Sequence, residues 1–223
     1  MKFLPMLGLR HHVLWVTLGI SLFSGLLRAE DVALTPAQKV IKQTAVQLQQ
    51  NLQRPEMKKD FARATALVDS IIEPVIDFDR VSVLVLGKYW KTATPEQKNR
   101  FKTEFRRLLV RTYTTAFTEY ADWNIRYLPS QGEAGADKTM VRTEILQSGA
   151  QPVAVNYRMV NAKGTWKVYD VLIEGISLLQ NYRTSFTNQI AEGGSVEQLI
   201  KDLTVRNDTA HKEPLESGSP QGS

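Results

Sequence analysis

The chain has 223 residues, 28 Lys and Arg against 23 Asp and Glu, three histidines and no cysteine. With no thiol there is neither a disulfide nor a lipid-bearing cysteine after an export signal. His11, His12 and His211 all lie near the ends, which almost excludes a histidine triad or a histidine-ligated metal.

Lys2 and Arg10 precede an apolar run from Val13 to Leu27, and Ala29 follows at a small-residue cleavage point. Residues 1–29 are read as a secretory signal peptide, too short and poorly flanked for a membrane span. Loss of Lys2, Arg10 and Arg28 leaves 25 basic and 23 acidic side chains, a net charge of +2. That balance argues against a nucleic-acid partner. Residues 30–206 then suit one soluble domain, and residues 207–223, rich in Gly, Ser and Pro, read as a disordered tail.

Thr35-Pro36-Ala37-Gln38 predicts a helix start with Thr35 as cap, and Ile41, Ala45, Leu48 and Leu52 form its stripe. Pro55 ends it. A second helix is expected from about Met57, with Phe61, Ala64, Leu67, Val68, Ile71 and Ile72 inward and Pro74 near its end. Asp77 to Gly87 reads as a short helix capped by Asp77, although Val81-Ser82-Val83-Leu84-Val85-Leu86 also has strand propensity. Thr94-Pro95-Glu96-Gln97 opens the longest helix, with a stripe of Phe101, Phe105, Leu108, Leu109, Thr112, Tyr113, Ala116, Phe117 and Tyr120.

From Trp123 the hydrophobic period becomes two. Strands are expected at Trp123–Tyr127, Thr139–Leu146, Pro152–Val160 and from Thr165, with Asn161-Ala162-Lys163-Gly164 as a hairpin turn. In the last strand Val168 and Leu172 should share one face and Tyr169, Val171 and Ile173 the other, so both faces are apolar and covered. A helix follows from Gly175 to about Ala191. Gly193-Gly194 breaks the chain, and Ser195 caps a last short helix docked by Leu199, Ile200 and Leu203. The expected fold is α+β, a curved four-stranded antiparallel sheet packed with several helices.

Catalytic chemistry is sparse. Asp170 and Glu174 would lie about 14 Å apart along one strand face, wider than acid–base carboxylate pairs work. They suit structural roles better, Asp170 on a neighbouring strand or an Arg and Glu174 on amides at the turn. No phosphate-binding glycine loop is present, and no serine has a histidine to activate it. The apolar and aromatic excess on facing elements offers either a filled core or a cavity. The candidate cavity residues are Val81, Leu84, Val85, Phe101, Phe105, Leu108, Leu109, Tyr113, Phe117, Val141, Val155, Tyr157, Met159, Val171 and Ile173.

Leu86-Gly87-Lys88-Tyr89-Trp90-Lys91, Ala93-Thr94-Pro95-Glu96-Gln97, the Phe101–Tyr113 helix, and Tyr169-Asp170-Val171 followed by Glu174-Gly175-Ile176-Ser177 resemble the MlaC (toluene-tolerance, Ttg2-type) family. The resemblance runs from about Pro36 to Leu203. It implies a monomeric periplasmic phospholipid carrier without catalytic residues, metal or cofactor, with phospholipid as its cargo. It also implies exchange between an outer-membrane MlaA–porin complex and MlaD of an inner-membrane ABC transporter, in the service of outer-membrane lipid asymmetry and solvent tolerance. The fifteen cavity residues would then line a lipid pocket, with the Val81 to Trp90 segment as a candidate hinge. The alternatives are a periplasmic chaperone or adaptor without lipid, and a hydrolase using Asp170 or Glu174.

Overall fold

The structure, a computed structural model, describes residues 33–119, 123–129 and 136–209. The expected signal peptide, Tyr120 and the tail beyond Thr209 lie outside them. From Leu34 onward the described residues form one compact unit.

Helix starts follow local capping chemistry. In α1 (Pro36–Leu52) the Thr35 hydroxyl accepts from the Gln38 N–H at 3.2 Å, and Gln38 Oε1 accepts from the Thr35 N–H at 2.9 Å. The expected second helix is two, α2 (Pro55–Lys59) and α3 (Phe61–Ile72). The break falls at Asp60, whose carboxylate accepts from the Arg63 N–H at 2.9 Å and caps α3. Asp77 caps α4 (Phe78–Leu86) in the same way, which settles that segment as helix, and Gly87 ends it. A short α5 (Lys88–Thr92) intervenes before α6 (Pro95–Glu119), where Thr94 and Gln97 form a second reciprocal box.

The sheet is an antiparallel meander in the order β1 (Trp123–Tyr127), β2 (Lys138–Gln147), β3 (Val153–Ala162), β4 (Thr165–Ile173) and β5 (Ile176–Ser177). The expected four strands are thus five. Glu174 and Gly175 both take positive φ, 49° and 81°, and form a tight two-residue turn. The chain therefore pairs once more before the helix, which starts as α7 (Leu178–Ala191) with Ser177 as its cap rather than at Gly175. Lys163 and Gly164, at φ 53° and 88°, make the expected β3–β4 hairpin.

A bulge between Arg158 and Met159 resets the phase of β4. Met159 pairs with Val168 while Tyr157 pairs with Val171, so Val168 shares a face with Val171 and Ile173, not with Leu172. Most apolar residues of β4 thus share one face, while Leu172 is buried on the other and Tyr169 packs against the α4, α6, α7 and α8 core. Both sides are covered, but the grouping by face differs because the extra residue was invisible to a strict period of two.

Finally, α8 runs from Val196 to Thr209. It passes the expected tail boundary because Asn207 is 2% exposed and donates to the Glu104 carbonyl at 2.9 Å. The sheet's main helical contacts are α1, α4 and α7, whereas α6 packs mostly on α3, α4 and α8.

Candidate functional site

Cross-strand pairing places Tyr127, Val141, Thr143, Ile145, Val155, Tyr157, Met159, Val168, Val171 and Ile173 on one sheet face. Ala37 and Ile41 of α1 pack there against Val141, Met159 and Val168, with Tyr127, Tyr157, Trp166 and Val171 around the margin. Two glutamines fix α1 in place: Gln38 Nε2 donates to the Leu128 carbonyl at 3.0 Å and Gln49 Nε2 to the Trp123 carbonyl at 2.9 Å. Towards the β3–β5 end the cover thins. Val155 and Ile173 are half-buried, Val153 is 36% exposed and Ile176 65%. The opposite face is mixed, with Arg126 on Glu144 at 2.7 Å and Arg158 on Asp170 at 3.0 Å beside buried Val160 and Leu172.

The fifteen expected cavity residues fall into separate settings. Val81, Val85, Phe101, Phe105 and Leu108 are buried in a closed core of α4, α6, α7 and α8, with Leu109 at its edge. Phe101, Phe105 and Phe186 stack and meet edge-on there, with centroids 5.5 to 5.9 Å apart. Val141 and Met159 are fully buried under α1. Phe117 borders a third cluster, where α1, α2, α3 and α6 meet around Leu48, Leu52, Met57, Ala64, Val68 and Val110. Leu84, Leu109, Tyr113, Phe117, Val155, Tyr157, Val171 and Ile173 keep accessible surface. Tyr127, Trp166, Val153 and Ile176 belong to the sheet face and were missed, as was Tyr182 at the edge of the helical core; the bulge hid the phase of Trp166 in β4.

The tyrosines report on that accessible surface. Burial pushes the Tyr127 hydroxyl up to about 12. Burial also raises Tyr157, reinforced by Tyr127 and opposed by a hydrogen bond with Thr143. On the helical side burial raises Tyr113 and Tyr182, which hydrogen-bond each other. All four retain part of their accessible area.

The two candidate carboxylates are committed to the scaffold. Asp170, 5% exposed, accepts from Arg158 Nη1 at 3.0 Å, Ser177 Oγ at 2.8 Å and the Leu179 N–H at 3.1 Å, tying β3, β4 and the first turn of α7. Glu174 accepts from the Ala154 N–H. No group of three metal-ligating side chains occurs among the described residues.

A second, charged cleft of about 540 Å³ lies along α3 and α6 and reaches Asn207 of α8. Within it Arg106 holds Asp69 through two bonds, 2.7 and 2.9 Å, and reaches Glu73 at 3.4 Å.

The family model described as MlaC protein matches residues 42–205, well over half of the chain. The toluene tolerance protein ttg2D of Pseudomonas putida is 30% identical over 129 residues, 57% of this chain and 60% of that protein. The intermembrane phospholipid transport system binding protein MlaC of Haemophilus influenzae is 28% identical over 156 residues, 67% of this chain and 72% of that one. Among solved structures, a phospholipid-binding protein from Ralstonia solanacearum, in complex with a phospholipid, matches with a TM-score of 0.74 and 30% identity. The match covers 79% of this chain and 99% of the Ralstonia chain. In sequence and in fold, this chain belongs to the MlaC family.

Proposed function

We propose that this protein is a periplasmic phospholipid carrier that exchanges lipid between an outer-membrane MlaA–porin complex and MlaD of an inner-membrane ABC transporter. The observation that carries the reading is the apolar sheet face that α1 covers only in part, leaving Val155, Val171 and Ile173 half-buried and Ile176 65% exposed. The Ralstonia solanacearum structure with its phospholipid and the name of the Haemophilus influenzae relative support it.

Val155, Tyr157, Val171 and Ile173 from the sheet, and Leu84, Leu109, Tyr113 and Phe117 from the helices, take the acyl chains. Val81, Val85, Phe101, Phe105, Leu108, Val141 and Met159 form the packed wall behind them. A two-chain lipid has on the order of 30 methylenes at about 0.8 kcal/mol each, so free transfer through water is prohibitive. A carrier whose lining matches the bilayer's apolarity makes uptake and release nearly balanced. No catalytic group, metal or cofactor is needed for that work. Release turns on the α4–α5 junction at Gly87, whose φ of 54° marks a sharp break between two short helices.

Native mass spectrometry of protein purified without detergent, followed by organic extraction, tests the reading. Phospholipid at fixed stoichiometry is expected and counts the acyl chains. Protein that is bare, and stays bare after incubation with phospholipid vesicles, overturns it in favour of a lipid-free adaptor.

A further inference from the structure

Helices α6 and α8 are clasped by polar side chains, and one member of the clasp lacks a counter-charge. Arg107 pairs with Glu104 at 3.0 Å and with Asp208 at 2.9 Å. Asn207 Nδ2 donates to Glu104 Oε2 at 2.7 Å, so both carboxylates are committed. One turn along α6, Arg111 is 8% exposed and donates from Nη1 to the Arg206 carbonyl at 3.1 Å. Its Nε has no partner, and among the described residues it makes no ion pair. Burial and the nearby Arg206 and Arg107 disfavour its charge. Asn207 Oδ1, also buried, is unpartnered as well.

Arg111 and Asn207 both line the 540 Å³ cleft, with their unpartnered atoms buried just behind its surface. Elsewhere in that cleft Lys102 is paired with Asp79 at 2.8 Å, Arg106 with Asp69 and Arg107 with Glu104 and Asp208, while Lys167, without an ion pair among the described residues, is only half-buried. The buried uncompensated charge is therefore at Arg111. A buried guanidinium without an anion is among the costliest arrangements a fold can retain, and an arriving anion removes the cost. The fork of a guanidinium matches phosphate oxygens in pairs.

We propose that this cleft is a second ligand site, taking a phosphate-type oxyanion on Arg111. Asn207 Oδ1 accepts a hydrogen bond from a protonated oxygen or an ammonium of the same ligand. Two sources share that chemistry, free phosphate and a phosphoethanolamine headgroup. The cleft touches the sheet only at Lys167 of β4, and Arg111 and Asn207 lie on α6 and α8, so the assignment stands whether or not lipid is carried on the apolar sheet face.

The test is thermal unfolding of the full chain at constant ionic strength, titrated with inorganic phosphate or with glycerophosphoethanolamine, which has the headgroup without acyl chains. A saturable rise in Tm of roughly 5–10 °C is expected at a hundredfold excess over Kd. The response should be absent in Arg111→Met, which without ligand should melt no lower than the parent because an unpaired charge is gone. A response to phosphate assigns the free ion; a response to glycerophosphoethanolamine alone assigns the headgroup. No response to either probe, or an equal response in Arg111→Met, overturns the site. Should Arg111→Met fail to fold, Arg111→Lys keeps the charge but loses the fork, and a Kd less than threefold weaker than the parent's overturns the site equally.

Discussion

Replacing Val171 by glutamate separates the recess from the core. Val171 is half-buried on the apolar sheet face beside Tyr157, so in the empty protein the new carboxylate reaches water. With acyl chains against it, the group must take up a proton. Holding a glutamic acid neutral at about pH 7.5, against an ordinary pKa of about 4.3, costs about 4 kcal/mol. That is roughly a thousandfold in lipid affinity. Val171→Glu should therefore purify folded by circular dichroism but nearly free of lipid phosphorus. Leu108→Glu should behave differently. Leu108 is 4% exposed among Phe105, Phe186 and Leu203, and no water reaches it. There the loss of leucine burial, about 2–5 kcal/mol, and the buried charge both fall on folding itself. Little soluble protein is expected. Full lipid content in Val171→Glu would refute the sheet face as an acyl wall, and a folded, lipid-free Leu108→Glu would refute the division between core and recess.

Other expectations follow from single contacts. Asp170→Ala removes three bonds to a carboxylate that is 1% exposed, while its partner Arg158, 42% exposed, can turn to water. A loss of about 3 kcal/mol, or a Tm lower by roughly 6–12 °C, should result, and a shift under about 2 °C would deny the carboxylate its structural role. Gly87→Ala forces a side chain into φ 54°, ψ −119°, with the new Cβ 3.4 Å from the Arg183 guanidinium. Calorimetry should show about 1–3 kcal/mol of destabilisation, and none would mean that the junction relaxes freely. Tyr127 has a folded pKa raised by burial to about 12, so its contribution to stability is complete below about pH 10 and is lost as pH rises towards about 12. Tyr127→Phe should flatten the decline in alkaline denaturation profiles; an unchanged slope would count against a buried hydroxyl.

The sequence made helix ends legible where one short motif decides them. Thr35 with Gln38, Asp77, and Thr94 with Gln97 each act through bonds three residues away, and all three appear as expected. The Asn161–Gly164 hairpin is equally local. What escaped was set at longer range or by a single inserted residue. The Arg158–Met159 bulge leaves no mark in an alternating pattern, yet it gathers the apolar residues of β4 mostly onto one face. The stripe on α6 shows that Phe101, Phe105 and Leu108 are buried but not against what, and the answer is α7 and α8, not an open recess. Asn207 looks like the start of a polar tail until its partner, Glu104, is seen about a hundred positions upstream. A buried polar residue fixed by a distant helix carries no local signature.

The way β4 is held bears on how the proposed acyl wall would adjust its width. Among the described residues, backbone hydrogen bonds between a helix-bearing segment and the body of the sheet meet at one residue, with Val168 N donating to Val75 O at 2.8 Å and Asp77 N to Val168 O at 2.9 Å. The ladder bonds of the meander lie within the sheet itself. A tilt of the sheet about that point leaves the ladder bonds intact but carries the first turn of α7 with it, because Asp170 holds Ser177 and Leu179. Ile173 lies five residues beyond Val168, about 17 Å along the strand, so a tilt of about 10° displaces it by roughly 3 Å. The side-chain bonds of Gln38 and Gln49 at the β1 end would resist with only about 1 kcal/mol each. On the carrier reading proposed above, capacity would be an angle more than a fixed volume, and the same lining would accommodate chains of different length.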